Sequence, residues 1–154
     1  MSLAGPAGAI NPEDTENFED IEKQFAVKVV QHMETYWNIL EKLPGSKLRL
    51  TKFDDEIYEH FKKEFPEFDA SATINEDDMK SKEGKERWRK FIGEYEKKVE
   101  DYNFGAMLRA SPKTEYSETG TIFAVRMQFY AVEIARNRAG LNDWIYEKAH
   151  PKGQ

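Results

Sequence analysis

The sequence predicts an all-α fold: one compact domain of four main amphipathic helices, a short terminal helix, and room for a small hairpin near residues 106–122. Three observations carry this. Apolar residues recur at three- and four-residue spacings in four long segments, each segment closes on proline or glycine, and no convincing set of alternating strands appears. The length, 154 residues with 39% hydrophobic and 13% aromatic content, suits a single domain with an ample core.

Taken in order, the first helix is expected over 17–43, with a seam of Phe18, Ile21, Phe25, Val29, Met33, Trp37 and Leu40, and Pro44-Gly45 to stop it. Residues 47–50 read as an extended connector. Thr51 then caps a second helix with Asp54 three residues on, a capping-box-like start, and Phe53, Ile57, Phe61 and Phe65 form its seam before Pro66. Residues 67–80 read as a polar loop with about one helical turn. Ser81 caps a third helix whose seam runs through Trp88, Phe91, Tyr95, Val99 and Tyr102, with Gly105 as its terminator. Residues 106–119 are irregular around Ser111-Pro112. A fourth helix is expected over 121–140, with a Schellman-like end at Gly140 and Leu141, and a short last helix follows at 142–148. Residues 1–14 read as a disordered lead-in, Met1–Leu3 as a cloning remnant, and 149–154 as a flexible tail. Trp37, Phe61, Trp88, Phe91, Phe123 and Ile134 are expected in one core.

Composition excludes several function classes. The net charge of −6 argues against a general phosphate-backbone binder. The charge is uneven: residues 1–102 hold 16 Lys+Arg against 24 Asp+Glu (−8), and residues 103–154 hold 7 against 5 (+2). The absence of cysteine removes disulfides, thiolate metal sites and thiol nucleophiles, and suits a reducing compartment. No apolar run approaches a membrane span, and the first residues lack the regions of a secretory signal. These features predict a cytoplasmic protein with no membrane partner and no direct nucleic-acid contact.

Catalytic signatures are missing as well. No phosphate loop is present, since Leu40 stands where its first glycine belongs ahead of Gly45, and no dinucleotide loop, nucleophile elbow or zinc-protease motif occurs. His32, His60 and His150 lie far apart in sequence. Residues 69–80 have the length of a calcium loop, but Ile74 replaces the turning glycine and Lys80 the bidentate glutamate, so no calcium site is expected. In 87–90, ArgTrpArgLys, Trp88 continues the core seam while Arg87, Arg89 and Lys90 are expected to pair with Glu83, Glu86 and Glu94.

The fourth helix poses the functional question. It is apolar nearly all round, yet Arg126, Glu133 and Asn137 share one narrow stripe, with Tyr130 alongside. Charge beside so much hydrophobic surface needs a partner. One reading is internal: Arg126 pairs with Asp54 or Asp55, and Glu133 with Arg136 or Asn137. The other is a groove lined by Arg126, Phe129 and Tyr130 that receives a partner segment.

Segments 50–65 (LTKFDDEIYEHFKKEF), 82–109 (KEGKERWRKFIGEYEKKVEDYNFGAMLR) and 121–143 (TIFAVRMQFYAVEIARNRAGLND) resemble, in order and spacing, the eukaryotic polysaccharide biosynthesis domain-containing protein family over about residues 17–146. The FDDEIY, VEDYNFG, MLR and QFYAVEIARNR blocks are the most specific. The resemblance implies a small cytosolic helical protein without enzymatic activity or cofactor. It implies a dedicated chaperone for the nascent GTP-binding domain of elongation factor 1-alpha, acting at the ribosome with the nascent polypeptide-associated complex. The residues of those blocks expected to meet a partner are Asp54, Asp55, Tyr58, Asn103, Phe104, Arg109, Arg126, Phe129, Tyr130, Glu133, Arg136 and Asn137. Two other classes compete. The family's name points to polysaccharide modification by a methyltransferase-like activity, for which this chain lacks a glycine-rich methyl-donor loop. An RNA-binding module using Arg87, Arg89 and the C-terminal arginines would show steep salt dependence.

Overall fold

The first helix, α1 (Thr15–Lys42), is long because its seam recurs every three or four residues and no breaker intervenes before Pro44. Val29, Tyr36 and Leu40 are buried along it and Trp37 is half-buried. This computed structural model describes residues 15–152, with side chains from residue 23. The expectations for 1–14, for Phe18 and Ile21, and for the end of the tail lie outside the described residues. A 3-10 turn (Gly45–Lys47) then leads into extended backbone at Leu48.

Helix α2 (Asp54–Glu64) starts after Phe53, which occupies the N-cap position without a side-chain cap, and Asp54 is its first residue, not its third as expected. Asp54 accepts from the backbone N–H of Thr51 and Leu50, both at 2.7 Å, while the Thr51 hydroxyl accepts from the N–H of Phe53. Thr51 and Asp54 thus close the turn ahead of the helix, and Thr51 is not its cap. The loop that follows contains the single turn α3 (Glu76–Met79), and α4 (Lys82–Gly93) is capped by Ser81, whose hydroxyl accepts from the N–H of Gly84 at 3.0 Å. Helix α4 ends at Gly93. Tyr95 and Val99, expected on its seam, are buried all the same, carried inward by a series of turns. Gly105 begins a strand.

The fold is mostly helical but not purely so, because the chain pairs two strands. Strands β1 (Gly105–Arg109) and β2 (Thr121–Val125) run antiparallel, with Met107 opposite Phe123. The expected helix 121–140 therefore divides into β2 and α5 (Arg126–Arg138). Within β2, Ile122 and Ala124 point inward, while Phe123 lies on the other face and is 48% exposed, not in the core as expected. The break is stabilised at the helix start. Val125 N–H donates to the Gln128 side chain, and the carbonyls of Phe104 and Tyr102 accept the free N–H groups of Arg126 and Met127. At the other end Gly140 adopts φ +74°, Leu141 N–H reaches the Arg136 carbonyl and Gly140 N–H that of Asn137. Both bonds of the Schellman motif form. Helix α6 (Asp143–Ala149) closes the described chain.

Two packing regions share one core. Between α2 and α4, Phe61, Phe65, Trp88 and Phe91 pack ring on ring, with Phe65 and Trp88 stacked at 4.4 Å. Helix α5 lies centrally, and Met127, Phe129, Val132 and Ile134 are all buried. Arg87 does not pair within its own helix. It reaches the Glu64 carbonyl and Glu67 and lies 4.4 Å from the Phe65 ring.

Candidate functional site

Arg126, Glu133 and Asn137 do share one side of α5, but seven residues separate Arg126 from Glu133, about 10 Å along the axis. That distance puts them in different surroundings. At the C-terminal end, Glu133, Arg136 and Asn137 are 1%, 0% and 3% exposed, and with Arg109, Asn142 and Tyr36 they form one buried network. Glu133 accepts from the Tyr36 hydroxyl at 2.8 Å, Arg136 at 2.9 Å, the Asn142 amide at 3.0 Å and Arg109 at 3.4 Å. Arg136 also donates to the carbonyls of Arg109 and Ala110, and Arg109 to those of Pro112 and Thr114. Asn137 donates to the Tyr36 hydroxyl and accepts from Asn142.

Two guanidiniums surround one carboxylate, and backbone carbonyls together with the Asn142 side-chain oxygen serve their remaining N–H groups; only the Nε of each has no partner among the described residues. Burial works against ionising Glu133, yet Arg136, Arg109 and the Tyr36 hydroxyl outweigh it and hold its pKa below the ordinary 4.5. Burial and the neighbouring Glu133 charge raise the Tyr36 hydroxyl well above its usual value. The network ties α1, β1, α5 and the start of α6 together. Even the 3-10 turn is fitted to it: a Cβ on Gly45 would collide with Asn137 Oδ1. Phe129 seals one side, edge-on to both Tyr36 and His32 at 4.9 Å.

The first turn of α5 is open by comparison. Arg126 donates to Asp101 at 2.6 Å, and Tyr130 donates to the same carboxylate oxygen at 2.8 Å. The Arg126 partner is therefore Asp101, not Asp54 or Asp55; the turns after α4 bring residue 101 against the helix start, whereas Asp54 is held by Leu50 and Thr51 in the turn ahead of α2. Asp101 keeps 27% of its side chain exposed and Arg126 12%. Arg126 faces the Phe104 ring at 5.8 Å, and Phe104 is 37% exposed. Phe123 projects beside Phe25, with ring centroids 6.3 Å apart. His32 Nδ1, Asn103 Oδ1 and Arg126 Nε lie buried with no hydrogen-bond partner among the described residues. Burial, helped by the Arg126 charge and opposed by Asp101, lowers the His32 pKa to about 4.

A third group lies along α2. Asp55 is exposed and pairs with Arg138, whose guanidinium sits 4.8 Å from the Tyr58 ring. Of the twelve residues expected at the site, Arg109, Phe129, Glu133, Arg136 and Asn137 therefore belong to the interior and Asp54 to the turn ahead of α2. Asn103, Phe104, Arg126 and Tyr130 form the accessible patch, and Asp55 and Tyr58 lie apart with Arg138. Sequence reasoning missed Tyr36, Asp101, Phe123, Asn142 and Trp144, whose indole donates to the Pro112 carbonyl at 2.8 Å. Tyr36 falls on the α1 seam, four residues before Leu40. Asp101 and Asn142 lie inside the blocks that carry the resemblance, so the signal was present for these three.

Among the described residues no cluster of three or more His, Asp or Glu could hold a metal ion, and no helix is long and apolar enough to cross a membrane. The model of the PBDC1 protein family matches residues 21–147. This chain belongs to the PBDC1 family. It is 59% identical over 138 residues to a PBDC1 homolog of Saccharomyces cerevisiae, covering 88% of this chain and 94% of that one. Identity is 55% to the homolog of Schizosaccharomyces pombe, at 88% and 95% coverage. Human PBDC1 is 40% identical, and the match spans 58% of its length. A solution NMR structure of a Saccharomyces cerevisiae protein, 58% identical, superposes with a TM-score of 0.78 over 90% of this chain and 97% of that one.

Proposed function

We propose that this protein is a dedicated, non-enzymatic chaperone of the cytosol. Its client is the nascent GTP-binding domain of elongation factor 1-alpha, met at the ribosome alongside the nascent polypeptide-associated complex. The observation that carries the reading is the Arg126–Asp101 pair, rimmed by exposed Phe104 and Phe123. Arginine and aromatic side chains together form effective interface anchors, and a partly exposed ion pair fixes orientation while apolar rings supply adhesion. A partly folded client offers the complement: apolar segments not yet buried, with polar backbone beside them. Release follows when the client folds and withdraws those segments.

The test is capture of a newly translated GTP-binding domain by the purified protein. The expected result is co-isolation with the unfolded or nucleotide-free domain and loss of the complex once it folds around nucleotide. Arg126→Met and Phe123→Ala are each expected to weaken capture. Equal capture by the parent and both variants, or capture of unrelated nascent domains just as well, would overturn the assignment.

A further inference from the structure

A second concave surface lies between the loop after α2 and the starts of α3 and α4. It encloses about 520 Å³, within the range of small binding sites. Its floor is apolar, made by Phe68, Ile74, Met79 and Trp88 over the buried Val132. Its rim is acidic. Asp69, Asp78 and Glu83 line it and form no ion pair among the described residues, whereas the Glu67 charge is matched by Arg87. Ser71 hydrogen bonds hold the Asp69 carboxyl below its usual pKa, so it stays ionised. Acids at the first turn of α4 are ordinary, since a helix start favours negative charge. Asp78 stands likewise in the first turn of α3. What distinguishes the groove is that four carboxylates and one guanidinium surround an aromatic and aliphatic floor, which leaves it acidic as a whole.

We infer that this groove docks a basic segment of a partner polypeptide, with one bulky apolar side chain seated over Ile74, Met79 and Trp88 and flanking lysines or arginines against Asp69, Asp78 and Glu83. The apolar floor supplies affinity, and the unmatched carboxylates select positive flanks and repel acidic ones. Arg87 is no obstacle, because its guanidinium is held against Phe65 and Glu67. The site stands apart from the Arg126 patch, with which it shares no lining residue. It does not depend on the chaperone reading.

The experiment is titration of the isotope-labelled full chain with a short synthetic peptide bearing phenylalanine and leucine between lysines, followed by NMR. Expected are shifts centred on the Trp88 indole, Ile74 and Met79, with affinity falling as salt rises. The double variant Asp78→Asn, Glu83→Gln changes only exposed positions and places no cation at either helix start; it is expected to lower the melting temperature only slightly while binding about tenfold more weakly. A peptide with serine in place of its apolar residues is expected to lose binding, and Arg126→Met to leave it unchanged. Shifts centred outside the groove, equal binding of the serine peptide, an unaffected double variant, self-association of the chain through this groove, or no binding at millimolar peptide would each overturn the inference.

Discussion

The two ends of α5 carry the same chemistry, arginine beside carboxylate and tyrosine, in opposite settings. Around Glu133 every partner comes from inside the fold, and the carboxylate meets two guanidiniums, a phenol and an amide with no access to water. Around Arg126 a single pair with Asp101 keeps one side open, and exposed rings stand beside it. The lesson is that a polar stripe on an apolar helix does not have one role. Depth and partner number decide it, and both change within two turns.

The comparison can be attacked first at its buried end. Glu133→Ala leaves Arg109 and Arg136 facing each other without their carboxylate, and the expected loss is about 3–5 kcal/mol by denaturant titration. A loss under about 1 kcal/mol would mean the network relaxes freely or admits water. Gly45→Ala attacks the same network from outside. Its added methyl group would displace Asn137, at an expected cost of about 1–3 kcal/mol in the same measurement.

Acid titration separates the two ends by pH. The folded His32 pKa, about 4, lies below the usual 6.5, so its contribution is complete above 6.5 and is lost as pH falls toward 4. The Glu133 pKa is depressed below 4.5, so its contribution is lost only under that value. Declining stability between pH 6.5 and 4.5 is therefore expected to flatten in His32→Gln, whose neutral amide faces Arg126 and Asp101 without titrating. An unchanged slope would place the titrating group elsewhere. The smallest expected effect on stability is that of Phe123→Ala, about 0.5 kcal/mol or less, because the ring is half in solvent.

Much of this contrast was legible in the sequence. The seams located α1, α2 and α4, Ser81 marked the start of α4, and Gly140 marked the end of α5; Thr51 missed the start of α2 by two residues, because Phe53 is the N-cap. Strand β2 was hidden because ThrIlePheAlaVal is apolar on both faces and runs into α5 with no breaker, so period two could not be told from a buried helix. The partners of the stripe were hidden for a different reason. Arg126 and Asp101 are 25 residues apart and Tyr36 and Glu133 are 97 apart, and only the turns after α4 and the packing of α1 bring them together. The likeness of Glu133 and Arg136 three residues apart was visible locally, and that pair does form.

The most direct test of the contrast measures melting and capture of the nascent GTP-binding domain on one variant, Arg126→Met. The account predicts a modest stability loss, about 1–2 kcal/mol for one partly buried pair, together with a larger fractional loss of capture by the molecules that remain folded. A loss of several kcal/mol with capture by the folded fraction unchanged would show that Arg126, like Glu133, serves only the interior.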